Sequence, residues 1–158
     1  RLIVPASSIV VSLVDFLIAF LLLLAVMFWY GIFPTWRMLM LPALLLLALA
    51  TALGAGLWFA ALNTKFRDFR YIVPFVVQFG LYVSPVGFSS AIVPERWRLL
   101  YSLNPMVAVI EGFRWAVIGG KAQIYWPGFA TSCAFIIALL ISGVWYFRKT
   151  EKTFADVI

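Results

Sequence analysis

From Met38 to Leu62 the chain reads Met-Leu-Met-Leu-Pro-Ala-Leu-Leu-Leu-Leu-Ala-Leu-Ala-Thr-Ala-Leu-Gly-Ala-Gly-Leu-Trp-Phe-Ala-Ala-Leu, without a single charge. A helix needs about 20 mostly apolar residues to cross about 30 Å of hydrocarbon, and this stretch supplies them with room for tilt. The small residues Ala48, Ala50, Ala52, Gly54, Ala55 and Gly56 leave space for a second helix to approach closely. A lipid-facing helix with small residues as filler is the other reading of the same string.

Three similar runs flank it. Ser8 to Tyr30 is apolar except for Asp15, and Gly31 to Arg37 adds a breaker and interfacial aromatics before Met38. Asn63 to Tyr71 (Asn-Thr-Lys-Phe-Arg-Asp-Phe-Arg-Tyr) is strongly charged and belongs outside the hydrocarbon. A third span is expected over 72–88, bracketed by Pro74 and Pro85. Tyr125 to Phe147 is the fourth, stopped by Arg148, Lys149 and Lys152. The fold class is therefore all-α, a polytopic transmembrane helix bundle with spans at about 8–30, 38–62, 72–88 and 125–147 in one transmembrane domain covering 1–158.

Segment 89–121 has a different texture. Pro94-Glu-Arg-Trp-Arg-Leu-Leu-Tyr is short and amphipathic, and Asn104-Pro105 is a helix start, Asn as N-cap with Pro in the first helical position. Met106, Val109, Ile110, Phe113 and Val117 recur at helical spacing, and Gly119-Gly120 ends the pattern. Two interfacial or re-entrant half-helices fit these cues.

The whole-chain composition agrees. At 65% hydrophobic and 11% charged residues over 158 positions, with mean hydropathy +1.07, there is more apolar surface than a water-soluble fold of this length hides. The net charge of +6 sits at the edges of apolar runs, which is where membrane topology uses it, so nucleic acid is not a partner. Cys133 is the sole cysteine, which rules out an internal disulfide or a multi-cysteine metal site. The first residue is Arg1 rather than Met, and the chain is expected to be a piece of a longer protein.

Basic residues set the expected orientation. With four spans, Arg1, Lys65, Arg67, Arg70, Arg148, Lys149 and Lys152 share one side, against Arg37, Arg96, Arg98, Arg114 and Lys121 on the other, the latter partly paired with Glu95 and Glu111. Both ends and the 63–71 loop are accordingly expected in the cytoplasm, and the half-helices on the opposite, periplasmic side.

Catalytic chemistry finds little to work with. There is no His, only six acids, no Gly-x-Ser-x-Gly and no paired Cys. Gly119-Gly120-Lys121-Ala122 lacks the earlier glycine and the Ser or Thr of a Walker A loop, so no ATP site is expected here, nor any metal or cofactor site. Asp15 lies about seven residues into the first span, where a carboxylate costs roughly 2.5 to 3.5 kcal/mol at the helix centre and needs water or a partner. It faces either another helix or subunit near the headgroups, or a substrate path.

On the third run Phe75, Phe79 and Tyr82 fall at i, i+4 and i+7 with Gln78 beside them. Such a stripe either packs or forms a smooth wall on which the C–H faces of sugars stack without fixed hydrogen bonds. Glu111 and Arg114, three apart, are placed to pair. Together with Trp97, Tyr101 and Trp115 they are either structural or a periplasmic gate.

Asn63-Thr-Lys-Phe-Arg-Asp-Phe, Asn104-Pro-Met followed by Glu111-Gly-Phe-Arg-Trp, and Phe147-Arg-Lys-Thr-Glu-Lys-Thr-Phe-Ala-Asp resemble, in this order, the permeases of type-2 ABC exporters. The branch they resemble most moves polysaccharide or polyol-phosphate polymers such as O-antigen, capsule or teichoic acid precursors. The resemblance implies a six-span, multi-pass subunit of the bacterial cytoplasmic (inner) membrane, of which the last four spans are present, with Arg1-Leu-Ile-Val-Pro5 the tail of a cytoplasmic segment. It implies a dimer with a second copy, two copies of a separate ABC ATPase that binds ATP and magnesium, and a lipid-linked glycan as cargo. Arg1, Lys65, Arg67, Asp68 and Arg70 are the candidate contacts on the ATPase side, with membrane lipid headgroups as the alternative for Lys65 and Arg70. The stripe Phe75, Gln78, Phe79 and Tyr82 would line the channel. A type-2 exporter of drugs or small lipids, and a membrane scaffold without a transport path, are the rival readings; a membrane glycosyltransferase lacks a plausible acidic pair.

Overall fold

A computed structural model describes residues 3–66, 68–119 and 124–155, and every regular element among them is helical. Two compact units divide the chain, one ending at Thr35 and the other beginning at Trp36. The first consists mainly of α1 (Ile3–Trp29), whose end is built by Gly31. With φ at 68°, Gly31 lets its own N–H reach the Phe28 carbonyl and the Ile32 N–H reach that of Met27, the paired bonds of a Schellman turn.

The second unit is organised on α2 (Leu41–Lys65) and α6 (Trp126–Ala155). A 3₁₀ helix, Trp36–Met40, leads into α2, where proline in the first turn loses no intrahelical hydrogen bond. Gly54 lies against the backbone of Leu139 and Leu140, and one turn later Trp58 meets Ser142 and Tyr146, so the two helices run in the same direction. Their apolar stretches, Trp36–Lys65 and Trp126–Glu151, reach mean hydropathies of 2.2 and 1.9 with only 22% of each window buried. A soluble core helix of that hydropathy is mostly buried; these are membrane-crossing helices.

Helix α3 (Phe69–Val83) departs from the expected third span at both ends. It starts before Pro74, which lies inside the helix instead of bracketing it, as neighbouring helices and local adjustments permit in a membrane. It stops at Val83 because Ser84 precedes Pro85 and is driven to an extended conformation, φ −83° and ψ 149°. It is a shorter apolar helix, and at about 1.5 Å per residue its length falls below the full hydrocarbon thickness. No residue of α3 is buried.

After α3 come a 3₁₀ turn, Ser90–Ile92, then α4 (Glu95–Tyr101) and α5 (Pro105–Ile118). Neither α4 nor α5 is long enough to cross a bilayer. The N-cap read from the sequence is present: the Asn104 side-chain oxygen accepts from the Met106 N–H at 3.0 Å. Gly119 closes α5 at φ 74°, while Gly120 and Lys121 lie outside the described residues.

Helix α5 packs against both α2 and α6. Its buried residues are Val107, Ala108, Val109, Gly112, Ala116 and Val117. Val109 and Val117 are where the apolar periodicity put them, but Met106, Ile110 and Phe113 are half-buried, and the innermost stripe is Ala108, Gly112 and Ala116. A Cβ on Gly112 would sit 2.5 Å from a Leu44 methyl, so the small stripe is what admits α2. Ile136 and Ser132 of α6 complete this core, and the Ser132 hydroxyl donates to the Ser102 carbonyl between α4 and α5.

Candidate functional site: the turn after α3 and the helices that hold it

The segment over 83–91 is held by five side chains, four of them on its backbone and Asn104 on the Ser84 hydroxyl. Tyr101 of α4 donates its hydroxyl to the Val83 carbonyl at 2.8 Å. The Asn104 amide donates to the Ser84 hydroxyl at 3.1 Å. Arg114 of α5 donates to the carbonyls of Pro85 at 2.9 Å, Phe88 at 3.2 Å and Val86 at 3.4 Å. Glu111 accepts from the Ser90 N–H at 3.1 Å. Ser84 and Ser90 are buried, so the bonds to the Ser84 hydroxyl and from the Ser90 N–H satisfy polar groups that water hardly reaches, whereas those to Val83 and Val86 are exposed.

This corrects the pairing expected of Glu111 and Arg114. Each is on the same face of α5, but among the described residues they form no ion pair with each other. The physical reason is geometric: the turn presents three carbonyls to a guanidinium fork and one N–H to a carboxylate, and each charged group takes the complementary pole. Among the described residues Arg96 and Arg98 form no ion pair with Glu95 or Glu111 either; Arg98 instead donates to the Ala91 carbonyl at 3.1 Å and stands over the Tyr125 ring.

Tyr101 lies outside the spans, and its phenol is held above its ordinary value of 10, first by burial and then by the nearby Glu111 carboxylate. It stays a hydrogen-bond donor well into alkaline solution. Trp97 of α4 is half-exposed, and Trp115 of α5 lies beneath the Arg37 guanidinium, 4.9 Å from the ring centroid. All five candidate gate residues therefore stand at one end of α2 and α6, on α4 and α5.

The aromatic stripe of α3 keeps the spacing read from the sequence and faces open space. Phe75, Phe79 and Tyr82 are 70, 61 and 73% exposed, and the rings of Phe75 and Phe79 are stacked with centroids 6.4 Å apart. Gln78 beside them is exposed. At the other end of the unit, Lys65, Asp68 and Arg70 are exposed around the α2–α3 junction, with the Lys65 ammonium 5.4 Å from the Phe66 ring. Because α2 and α6 are parallel, this junction shares its end with Arg148 and Lys149. Arg1 and Arg67 lie outside the described residues. Asp15 is exposed on α1.

Sequence reasoning overlooked the residues that lock the helices together. Gly143 and the Trp58–Ser142 bond at 3.1 Å fix α2 on α6, and Gly128 admits Ser102 at the start of α6. A glycine and a serine in an apolar run were the available signal.

Two long apolar helices left largely uncovered, short helices clasping a turn at one end and charges gathered at the other define a helical membrane protein. The chain belongs to the ABC-2 type transporter family, whose pattern matches residues 2–118. It is 32% identical to the O-antigen export system permease protein RfbA of Myxococcus xanthus over 99% of this chain and 60% of that protein. A Klebsiella pneumoniae protein of the same name is 23% identical over 100% of this chain and 61% of its own length. The inner membrane transport permease YadH of Escherichia coli K12 is 30% identical over 55% of this chain and 34% of its own length. The chain thus spans about three fifths of the length of the RfbA relatives. No solved structure matches it.

Proposed function

We propose that the chain is the four-span part of a permease subunit that exports a lipid-linked polysaccharide or polyol-phosphate polymer across a bacterial cytoplasmic membrane. The observation that carries this reading is the similarity to RfbA over 99% of the chain. Two copies pair, and each engages a separate ATPase that binds ATP and magnesium and supplies the energy. In this reading α1, α2, α3 and α6 all cross, α3 with help from the apolar turn beyond it, and both ends of the chain are cytoplasmic. The exposed charges Lys65, Asp68 and Arg70 then meet the ATPase or anionic headgroups.

Helix α3 supports a path between the copies. It carries no buried residue, and its aromatic stripe is exposed. Aromatic faces with one exposed amide bind sugar rings weakly enough to let a polymer move. The α4–α5 clasp acts as the gate, because it holds the turn that follows α3, at the end opposite Lys65, Asp68 and Arg70.

The test uses the full-length permease with its own ATPase subunit in cells that depend on it for export. Phe75→Ala, Phe79→Ala and Tyr82→Ala, singly and together, are expected to lower polymer export at least tenfold while leaving protein level and ATPase association unchanged. Full export by the triple variant overturns the path. Failure of the full-length protein to recover an ATPase favours the scaffold reading.

A further inference from the structure

We propose that the cavity between the start of α2, α5 and the start of α6 holds one acyl chain of an anionic phospholipid whose phosphate rests on Arg37. The cavity has a volume of about 420 Å³ and is lined by Leu44, Leu47, Gly112, Trp115, Phe129 and Cys133, among others. Its wall is almost wholly apolar, so it has nothing to offer water, which needs two to four polar partners to be held. The fluid surrounding α2 and α6 is hydrocarbon, and an empty cavity of this size forfeits the dispersion contacts of its lining. A lipid tail restores them.

Arg37 supplies the choice of headgroup. It belongs to the 3₁₀ helix that ends at Met40, itself a residue of the cavity wall, and its guanidinium lies over the ring of Trp115, another wall residue. Among the described residues it donates no hydrogen bond and joins no ion pair, and it is only half-exposed. A half-buried guanidinium 4.9 Å from an indole centroid, with no hydrogen-bond acceptor among the described residues, has N–H groups to offer an oxyanion. Trp36 and Trp126, both exposed at this end of the two spanning helices, mark the headgroup level where that oxyanion lies. An apolar cavity and a cation with no ion pair among the described residues therefore share one rim, at the depth where a phosphodiester joins its chains. The occupant is a lipid of the bilayer and not the cargo, because the cavity wall is almost wholly apolar and among the described residues Arg37 is the cation at its rim. The proposal is independent of which polymer the permease moves.

The experiment places the full-length permease in nanodiscs that contain no glycan, with trace phosphatidylglycerol or phosphatidylcholine carrying a photoactivatable diazirine in one acyl chain, and maps the cross-links by peptide mass spectrometry. Phosphatidylglycerol is expected to label segments 40–47 and 126–133 about fivefold more than phosphatidylcholine, the ratio that corresponds to about 1 kcal/mol per basic residue near an anionic surface. Arg37→Gln brings the two lipids to the same yield, and Cys133→Phe, which fills the cavity, lowers both. Equal labelling by the two lipids in the unmodified protein, or a preference that survives Arg37→Gln, overturns the proposal. So does a photoactivatable polyprenyl phosphate that labels these segments in preference to phosphatidylglycerol, since the cavity would then belong to a cargo carrier.

Discussion

A Cβ on Gly143 of α6 would lie 2.7 Å from the carbonyl oxygen of Gly54 on α2, closer than a real side chain approaches backbone. The reverse contact is almost as tight, with a Cβ on Gly54 meeting the Leu140 nitrogen at 3.0 Å. The helices cross backbone to backbone at this pair, and neither backbone has a flexible side chain to move aside. Gly143→Ala is expected to push them apart and lower stability by about 1 to 3 kcal/mol, the usual range for overpacking. Gly56→Ala, where no atom lies within 4 Å, is the control and should be neutral or slightly stabilising. Thermal unfolding of the detergent-solubilised full-length protein distinguishes the two; equal melting temperatures would mean that the crossing is looser than the geometry requires.

One turn further on, Trp58 donates to the Ser142 hydroxyl at 3.1 Å and stacks on Tyr146 with centroids 4.5 Å apart. Polar bonds between membrane helices average only about 0.6 kcal/mol, because the separated helices find other partners. Aromatic pairing contributes about 0.5 to 1.5 kcal/mol beyond burial. Trp58→Phe should therefore cost less than Trp58→Ala, and Ser142→Ala should cost no more than Trp58→Phe. A melting series in which Ser142→Ala is the worst of the three would assign the seam to the hydrogen bond instead of the rings.

How much of this was legible follows from which forces leave a mark in one sequence. The uncharged run before Asn63 announced α2, and the one before Arg148 announced α6, although the helix itself continues through Arg148 to Ala155, since hydrocarbon excludes charge but a helix does not end where the hydrocarbon does. Asn104-Pro105 announced α5, because capping is a local bond. The small string in α2 was half informative: Gly54 makes the close crossing, whereas Gly56 faces open space. Helical phase decides which glycine meets a partner, and that phase depends on α6. The limits of α3 were misread because Pro74 falls in the second turn, where it removes one hydrogen bond, to the Arg70 carbonyl, without ending the helix. The exposed stripe of Phe75, Phe79 and Tyr82 was legible as a stripe. The clasp was not, since Glu111 and Arg114 at i and i+3 look like an ion pair until the backbone of the turn stands beside them.

Alkaline solution should loosen the clasp through Tyr101. Its folded pKa is raised above 10 by burial first and Glu111 second, so the stability it contributes is fully present below pH 10. That contribution is lost as pH rises from 10 through the raised value, when the phenolate can no longer donate to the Val83 carbonyl. Trp97 fluorescence, followed from pH 8 to 12 in proteoliposomes, should report α4 detaching at the alkaline end. Tyr101→Phe removes both the donor and the titration, so its curve should lack this step. A step retained in Tyr101→Phe would place the titrating group elsewhere.

The N-cap predicts a different failure. Asn104 uses its side-chain oxygen to cap α5 and its amide to hold Ser84. Asn104→Asp keeps the cap and loses the amide donor, while Asn104→Ala loses both. Loss of a cap costs about 1 kcal/mol, so Asn104→Ala should be less stable than Asn104→Asp by roughly that amount. Limited proteolysis in the 84–94 segment should accelerate in both, because both release the turn. If Asn104→Asp is cut no faster than the unmodified protein, the Ser84 bond does not restrain the turn.

Arg114 provides the sharpest comparison, because its role depends on shape as much as charge. Its guanidinium spans the carbonyls of Pro85 and Phe88 at 2.9 and 3.2 Å from two different nitrogens. Lysine brings the same charge on a single nitrogen and cannot hold both carbonyls in that geometry. A hydrogen bond from a charged group contributes about 1.5 to 3 kcal/mol, so Arg114→Lys should lose about one such bond, and Arg114→Leu should lose more by leaving buried carbonyls unpaired. If the clasp acts as the gate, Arg114→Lys will also raise leakage of small ions through the full-length complex in the absence of ATP. Conductance across planar bilayers reads that directly. A variant that is less stable yet electrically silent would confine Arg114 to folding, whereas a leak from Arg114→Lys at unchanged protein level would make the turn after α3 the barrier.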